Sequence, residues 1–298
     1  MTAREALARA TARLEVRGVP DAGHDAAVLL GQVLGRPRLE LPLYYSWRLS
    51  PAESAAYEAL VERRAGREPL QYILGSQGFM DFEVLVDGRA LIPRPETELL
   101  AEKAIALGRA MSEERRAAGL RVADVGTGSG CLAIAIARAL TEARVWATDA
   151  SELALALARQ NAERLGVAGR VEFVRGDLLE PLLGGGVAVD LLVSNPPYIP
   201  SGELAGLQEE VRDHEPRLAL DGGLDGLDAY RALASGAGPV LARDGRVALE
   251  LGYGQAAAVQ ALFEAAGFTA VEVSPDLAGL SRIMTARLAG PGTNGDRP

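Results

Sequence analysis

The sequence predicts an α/β protein: a small helical bundle, a linking β-hairpin, and a parallel sheet with helices on both faces. Three observations predict this class. Residues 1–75 carry apolar residues at helical spacing behind capping signals, residues 76–95 carry short apolar runs around a turn pair, and from residue 120 onward strand patterns alternate with helix patterns. We therefore expect a helical domain over 1–75, a hairpin linker over 76–95 and a second domain over 96–289.

Composition and charge exclude several classes of function. The chain has 298 residues, of which 48% are apolar and 24% charged, as in an ordinary globular protein. One cysteine and two histidines cannot form a disulfide framework or a histidine-rich metal centre, so no metal site is predicted. A net charge of −9 argues against direct nucleic-acid binding. We find no apolar run of about 18 residues and no secretory signal, which predicts a cytoplasmic protein without membrane contact.

The helical domain is predicted to contain at least three helices. Thr2 and Glu5 form a capping-box pattern ahead of the first. The second is expected near 25–34, where Gly35 follows as a C-terminal cap, and Ser50 begins the third as an N-cap followed by proline. Short helices with apolar stripes form a bundle.

The linker is predicted to be a hairpin whose turn lies at Asp87-Gly88, between the apolar residues around Val84 and those around Ile92. The run Pro93-Arg94-Pro95 then ends any strand, because proline cannot donate a ladder hydrogen bond. A helix is expected over Glu96–Ala110.

The alternating region supplies the sheet. Strands are expected near 121–125, 144–149, 171–175, 189–194, 245–251, 270–274 and 281–288, and helices near 130–140, 151–165, 227–242 and 255–266. Ligands of such sheets bind beyond the carboxyl ends of the strands, so candidate site residues are sought there. The last residues, 290–298, are rich in glycine and proline and are predicted to be disordered.

A glycine-rich loop follows the first of these strands. The segment Asp124–Gly130 has the spacing G-x-G-x-G, which differs from the dinucleotide fingerprint G-x-G-x-x-G. A carboxylate at Asp124 suits a ligand with an ammonium group better than a pyrophosphate, and S-adenosylmethionine has an ammonium and no phosphate. The alternative is a tight strand–helix turn that binds nothing.

Two further acids follow the next strands. Asp149 can accept both hydroxyls of a ribose, although it could instead cap a helix. Asp177 can reach an adenine amino group. Together with the glycine loop they favour a nucleoside cofactor, S-adenosylmethionine.

The fourth strand runs directly into Asn195-Pro196-Pro197-Tyr198. The two prolines hold a stiff corner at the ligand edge of the sheet. The Asn195 side-chain oxygen and the Pro196 carbonyl can accept the two N–H bonds of a planar amide or aryl amine, and Tyr198 can lie against its plane. Because such a nitrogen is a poor nucleophile, holding it in line with an activated methyl group favours methyl transfer.

These motifs together resemble the peptide chain release factor glutamine methyltransferases of the PrmC/HemK type. The segments that carry the resemblance are Asp124–Gly130, Asn195–Tyr198, Pro69–Gly75 and Leu91–Glu98, with agreement later at Glu215-Pro216 and Leu249–Gly252. The glycine loop and Asn-Pro-Pro-Tyr recur in many N-methyltransferases, whereas Ile92–Glu98 is more specific.

The resemblance implies a seven-stranded Rossmann-like S-adenosylmethionine-dependent methyltransferase domain behind a helical substrate-docking domain. It implies methylation of the glutamine in the Gly-Gly-Gln loop of class 1 peptide chain release factors, and we expect a monomer. By the same resemblance the residues that contact the cofactor include Gly126, Thr127, Gly128, Ser129, Gly130, Asp149, Leu178 and Asn195. The residues that hold the glutamine are Asn195, Pro196, Pro197 and Tyr198, with the segment Arg94–Thr97 near the site. Phe79 either contacts substrate or packs the hairpin.

Three alternatives stay open at this point. The same chemistry could act on adenine N6 of DNA, although the sequence shows no basic target-recognition region. It could act on a glutamine of a ribosomal protein, or the chain could be a non-catalytic scaffold that binds S-adenosylmethionine.

Overall fold

The computed structural model describes residues 1–184, 186 and 188–289, which divide into two compact units. Unit one combines Met1–Ser76 with a later segment, Leu207–His214, and unit two contains Gln77–Gly206 and the chain from Glu215 onward. The predicted disordered tail, 290–298, lies outside the described residues.

Unit one is a helical bundle. Its helices are α1 (Ala3–Val16), α2 (Ala22–Leu34), α3 (Pro51–Ala65), α4 (Leu70–Leu74) and α10 (Glu209–His214), with a 3₁₀ helix at Arg38–Tyr44. Thr2 and Ser50 each accept a hydrogen bond from the backbone of the glutamate three residues on, and that glutamate bonds back, so both predicted capping boxes form. The core packs around fully buried side chains such as Leu14, Leu29 and Tyr57.

Arg64 joins the later segment to this bundle. Its guanidinium donates to Asp25 at 2.7 Å and to Glu210 at 2.8 Å, and all three side chains are about nine-tenths buried or more. Arg67 adds a second bond to Glu210 at 2.6 Å. The short helix α10, 146 residues from Arg64 in sequence, is therefore held in unit one by buried ion pairs.

Unit two is an α/β layer structure. Its sheet contains β3 (Arg121–Val125), β4 (Arg144–Asp149), β5 (Val171–Arg175), β6 (Val189–Ser194), β7 (Leu241–Glu250), β8 (Phe268–Pro275) and β9 (Ser281–Leu288), in the order β5-β4-β3-β6-β7-β9-β8. Its helices are α5 (Pro95–Arg109), α6 (Glu113–Ala117), α7 (Cys131–Ala139), α8 (Glu152–Arg164), α9 (Glu180–Gly184), α11 (Asp228–Val240) and α12 (Ala256–Ala265). The predicted α/β class with seven strands is confirmed.

The expectation of an all-parallel sheet is wrong at one edge. β9 is antiparallel to both β7 and β8. Only residues 276–280 connect β8 to β9, and a parallel connection needs a crossover of a dozen residues or more. The chain must therefore reverse direction there.

The hairpin forms earlier in the sequence than predicted. β1 (Ser76–Phe79) pairs with β2 (Phe82–Leu85), and the turn lies at Met80-Asp81 and not at Asp87-Gly88. Met80 adopts the left-handed conformation, with φ 52°, that a glycine would normally supply. Phe79 and Phe82 close the turn edge to face, with ring centroids 5.7 Å apart.

The strand order brings three carboxyl ends together. β3 lies between β4 and β6, all three run parallel, and every residue of β6 is buried. The loops that follow Val125, Asp149 and Ser194 therefore emerge side by side at one edge of the sheet. Among the described residues, we find no helix with the length and apolar character needed to cross a membrane.

Candidate active site

A cavity opens at this edge of the sheet, inside unit two. Its walls include residues that were predicted to contact the cofactor or the glutamine, together with other residues. The predicted ones are Gly126, Thr127, Gly128, Ser129, Asp149, Asp177, Leu178, Asn195 and Pro197. Thr97, from the segment expected near the site, also lines the cavity. The others include Arg89, Ala90, Leu91, Pro93, Cys131, Ser151, Pro216, Leu218 and Ala219. The predicted residues Phe79, Arg94, Gly130, Pro196 and Tyr198 are not part of this lining.

The glycine loop turns in a way that only glycine allows at low cost. Gly126, Gly128 and Gly130 all have positive φ, at 74°, 56° and 84°. A side chain on Gly130 would also sit 3.0 Å from the Cβ of Ala158 in α8. The loop therefore presents bare backbone to the cavity, while Gly130 itself packs against a helix.

Asp124 lies behind the loop and does not line the cavity. One carboxylate oxygen accepts from the Thr127 hydroxyl at 2.6 Å and from the backbone N–H of Ala133 at 3.0 Å. Complete burial raises the pKa of Asp124 to about 7. Its other oxygen has no hydrogen-bond partner among the described residues. Asp124 therefore fixes the conformation of the glycine loop, and it does not reach the cavity where the expected contact with a ligand ammonium group would form.

Asp149 ends β4 with both carboxylate oxygens engaged by backbone. One accepts from Gly128 N–H at 2.9 Å and the other from Ser151 N–H at 2.8 Å. Burial raises its pKa. Each oxygen keeps a further lone pair toward the cavity that it lines. Ser151, and not Asp149, supplies the N-cap of α8 by accepting from Ala154.

Asp177 and Leu178 close another wall of the cavity. Leu178 has φ 45°, a left-handed conformation that is uncommon for a branched residue. Its carbonyl accepts a bond from the Thr148 hydroxyl at 3.3 Å. Leu178 thus borders the cavity with an aliphatic side chain, at the position where the resemblance expects a contact with the cofactor.

Asn161 is a supporting residue that sequence reasoning missed. It is fully buried on α8, where its side chain exchanges two hydrogen bonds with the backbone of Leu85 and donates a third to the carbonyl of Ser129 at 2.9 Å. The amide thus joins the hairpin to the glycine loop. Its only signal in the sequence is a polar residue at a position where the helix periodicity expects an apolar one.

The tetrapeptide after β6 is held at its first and last residues. Asn195 donates from Nδ2 to the Thr97 hydroxyl at 3.1 Å. The Tyr198 hydroxyl donates to Glu250 Oε1 at 3.4 Å. Asn195 and Pro197 face the cavity, whereas the Tyr198 side chain packs against the core beside it. No metal-binding cluster of three or more histidine, cysteine or acidic residues occurs in the described part of the chain.

Glu250 was also missed, although its segment carries part of the resemblance. It is 1% exposed, accepts from Thr97 at 2.7 Å as well as from Tyr198, and burial raises its pKa to about 7. Burial also raises the pKa of the Tyr198 phenol. A carboxylate at the end of β7 therefore ties α5 to the tetrapeptide.

Small residues pack tightly behind Tyr198. A Cβ on Gly226 would lie 2.3 Å from the Tyr198 carbonyl oxygen, and one on Gly222 would lie 2.8 Å from the Tyr198 Cα. Gln255 donates to that same carbonyl at 2.9 Å. The prolines restrict the backbone of the tetrapeptide, and the contacts with Gly222, Gly226 and Gln255 hold it in place.

Arg94 does not line the cavity but forms an ion pair with Glu215 beside it. Its guanidinium donates to Glu215, a carboxylate that is 1% exposed and also accepts from the backbone of Ile92 at 3.2 Å. Glu215 precedes Pro216, which lines the cavity. Phe79 is 1% exposed and packs on Phe82, so its ring belongs to the hairpin core.

The cavity fits S-adenosylmethionine, the cofactor expected from the motifs. Bare loop backbone, an acid at the end of β4 and an apolar wall at Leu178 suit its amino-acid part, ribose and base. Ser129 lines the cavity as a residue, while its hydroxyl is itself buried. Among the described residues that line the cavity, Arg89 is the one basic side chain, and it is paired with Asp87, so the lining offers little positive charge for a pyrophosphate.

Comparison with known proteins finds relatives over nearly the whole chain. The family model described as the PrmC N-terminal domain matches residues 5–75, and the one described as the methyltransferase small domain matches 105–224. A release factor glutamine methyltransferase from Moorella thermoacetica is 45% identical over 291 residues, covering 96% of this chain and 98% of the relative. One from Geobacter sulfurreducens is 42% identical over 287 residues, covering 96% and 97%.

A solved structure agrees on the fold. A methyltransferase from Pyrococcus furiosus superposes with a TM-score of 0.50 at 18% identity, over 69% of this chain and 88% of that one. Since identity to the two bacterial relatives extends over nearly the whole length of each, this chain belongs to the family of release factor glutamine methyltransferases.

Proposed function

We propose that this protein transfers a methyl group from S-adenosylmethionine to the side-chain amide nitrogen of a glutamine in a class 1 release factor. The observation that carries the proposal is the near full-length identity to relatives named for that activity, together with a carboxamide, Asn195, on the wall of the cofactor-sized cavity. The glutamine of the Gly-Gly-Gln loop is the acceptor expected from the resemblance.

Different residues of this chain bind different parts of the cofactor. The glycine loop offers backbone N–H groups, Asp149 offers carboxylate lone pairs for ribose hydroxyls, and Asp177 with Leu178 borders the base. When bound, S-adenosylmethionine supplies a methyl group on a sulfonium, and its transfer leaves a thioether and releases one amide proton.

The tetrapeptide orients the acceptor. The Asn195 oxygen and the Pro196 carbonyl accept the two amide N–H bonds, and Pro197, which lines the cavity, confines the amide on one side. Tyr198 supports this corner from the core through its bond to Glu250. Catalysis by this corner is positioning, because an amide nitrogen attacks poorly unless its lone pair points at the methyl carbon. No covalent intermediate on the protein is required.

We further propose that unit one docks the release factor, that the hairpin segment 76–95 links it to a methyltransferase domain over 96–289, and that the protein acts as a monomer. The match of residues 5–75 to the PrmC N-terminal domain supports the first part. We propose the cytoplasm as its location, since translation takes place there.

The test incubates the protein with methyl-labelled S-adenosylmethionine and, separately, a class 1 release factor, ribosomal proteins and duplex DNA. Label on the release factor glutamine, lost with Asn195→Ala while cofactor affinity stays within about threefold, supports the proposal. Label on DNA or ribosomal protein alone overturns it, whereas a near-normal rate in Asn195→Ala overturns the role proposed for Asn195.

A further inference from the structure

A buried hydrogen-bond chain runs from the acceptor corner into the protein. Asn195 Nδ2 donates to Thr97 Oγ1 at 3.1 Å, and Thr97 Oγ1 donates to Glu250 Oε2 at 2.7 Å. Thr97 is 3% exposed and Glu250 is 1% exposed. Thr97 lines the cavity next to Asn195, whereas Glu250 does not.

The direction of these bonds determines which end of the Asn195 amide faces the cavity. A hydroxyl has one proton, and that of Thr97 is given to the Glu250 carboxylate, which can only accept while ionised. The Thr97 oxygen can then only accept, so the group that faces it must be the NH2 of Asn195. The Asn195 oxygen is left on the other side of its amide.

The prolines cannot supply this selection. They restrict the backbone, but the terminal torsion of asparagine is broad and nearly two-fold, so both amide orientations are otherwise accessible. A reversed amide would present N–H donors to the N–H donors of the acceptor glutamine. The orientation of the Asn195 amide therefore determines whether the tetrapeptide binds the acceptor amide or repels it.

We propose that Thr97 and Glu250 are positioning residues that hold the Asn195 carboxamide with its oxygen toward the acceptor amide. This inference rests on the proposed function, since it concerns the same site. Thr97 acts by accepting from Asn195, and Glu250 acts by keeping the Thr97 proton turned away from Asn195.

The surroundings of Glu250 make its charge conditional. Burial raises its pKa to about 7. The other charged or titratable groups that act on it or feel its charge are Glu96, Arg282, Tyr198, Tyr230 and Cys131. Of these, Glu96 raises its pKa, whereas Arg282 and the Tyr198 hydroxyl lower it. When Glu250 is protonated, the Thr97 proton is free to turn toward Asn195 and the selection is lost.

The decisive comparison is Thr97→Val against Thr97→Ser. Valine keeps the shape and removes the acceptor, while serine restores the hydroxyl. We measure single-turnover methyl transfer to the release factor, calorimetric affinity for S-adenosylmethionine, and the unfolding midpoint. We expect Thr97→Val to lower the transfer rate by about 10- to 100-fold with cofactor affinity within about threefold, and Thr97→Ser to recover most of the loss.

A double-mutant cycle tests whether Thr97 acts through Asn195. In the Asn195→Ala background, Thr97→Val should lower the rate by less than about twofold more, because no amide is left to orient. The wild-type rate should also fall as the pH decreases below about 7, and Glu250→Gln should flatten that fall.

Each outcome separates the two ideas. A wild-type protein that leaves the release factor unlabelled contradicts the proposed function and, with it, this inference. A normal wild type with equal rates for Thr97→Val and Thr97→Ser, or additive effects in the cycle, contradicts the inference alone. If Thr97→Val does not fold, a Thr97→Ser rate as low as that of Asn195→Ala overturns it.

Discussion

The carboxylate of Asp149 accepts a hydrogen bond from the backbone N–H of Gly128 at 2.9 Å, across 21 residues of sequence. Asp149 ends β4 and Gly128 lies in the loop after β3, so the bond connects the ends of two neighbouring strands. The acid that faces the proposed ribose therefore also fixes the loop that faces the rest of the cofactor.

Replacing Asp149 should weaken cofactor binding strongly. Asp149→Ala removes the ribose acceptor and frees the Gly128 amide, so we expect affinity for S-adenosylmethionine to fall by about 10- to 100-fold, the equivalent of one or two charged hydrogen bonds. Isothermal calorimetry measures this. The matched control is Glu152→Ala, an exposed acid three residues on that pairs with Arg159, and an equal loss there would contradict the ribose assignment.

The free energy of unfolding should depend on pH because of the buried Glu250. Its folded pKa of about 7 lies above the ordinary value of 4.5, so between these pH values the folded protein holds a proton that the unfolded chain releases. The contribution of Glu250 to the free energy of unfolding is therefore fully favourable below pH 4.5 and declines as the pH rises to about 7.

Denaturant unfolding of wild type and Glu250→Gln at pH 5 and pH 8 measures this. At pH 8 we expect the free energy of unfolding of Glu250→Gln to exceed that of wild type by up to about 3 kcal/mol more than it does at pH 5. Asp124, whose pKa is also raised to about 7, is present in both proteins and cancels in the difference. A difference that does not change with pH would rule out the raised pKa of Glu250.

Adding one methyl group behind Tyr198 should disturb the acceptor corner. Gly226→Ala places a Cβ 2.3 Å from the Tyr198 carbonyl at a φ of 76°, so the tetrapeptide must shift. We expect a loss of about 2–4 kcal/mol of stability and at least tenfold in transfer rate. Gly166→Ala is the control, because its φ is 72° but no atom lies within 4 Å of the added methyl. Equal rates in the two variants would show that the contact is unimportant.

Removing the buried guanidinium of unit one should be costly. Arg64→Ala leaves the carboxylates of Asp25 and Glu210 without their shared partner, and the expected loss of stability is about 3–5 kcal/mol. Arg13→Ala removes an exposed arginine that also contacts two glutamates, with a loss below about 1 kcal/mol. Thermal unfolding compares the two, and similar losses would contradict a structural role for the network.

Much of the fold follows from local pattern. The strands predicted at 121–125 and 189–194 agree in their bounds with β3 and β6. Each contains a short apolar run, and the chain then turns at Gly126 after β3 and at Asn195-Pro196 after β6. The hairpin turn was misplaced because Met80-Asp81 lacks the glycine that normally marks such turns, whereas Asp87-Gly88 has it without turning a strand pair.

The side-chain pairings inside the site could not be predicted in this way. Thr97 and Glu250 are 153 residues apart, and Asn161 lies 76 residues from Leu85. Periodicity shows that such residues are polar within buried patterns, but not which partner satisfies them. That information exists only in the strand order, which brings distant loops to one edge.

The inclusion of Leu207–His214 in unit one means that the bundle is not encoded by one continuous stretch of sequence. A gene fragment that stops at residue 76 would encode helices lacking Glu210, the counter-ion of Arg64. A chimaera that exchanges the whole bundle between relatives therefore needs two separate gene segments, one for each part of unit one.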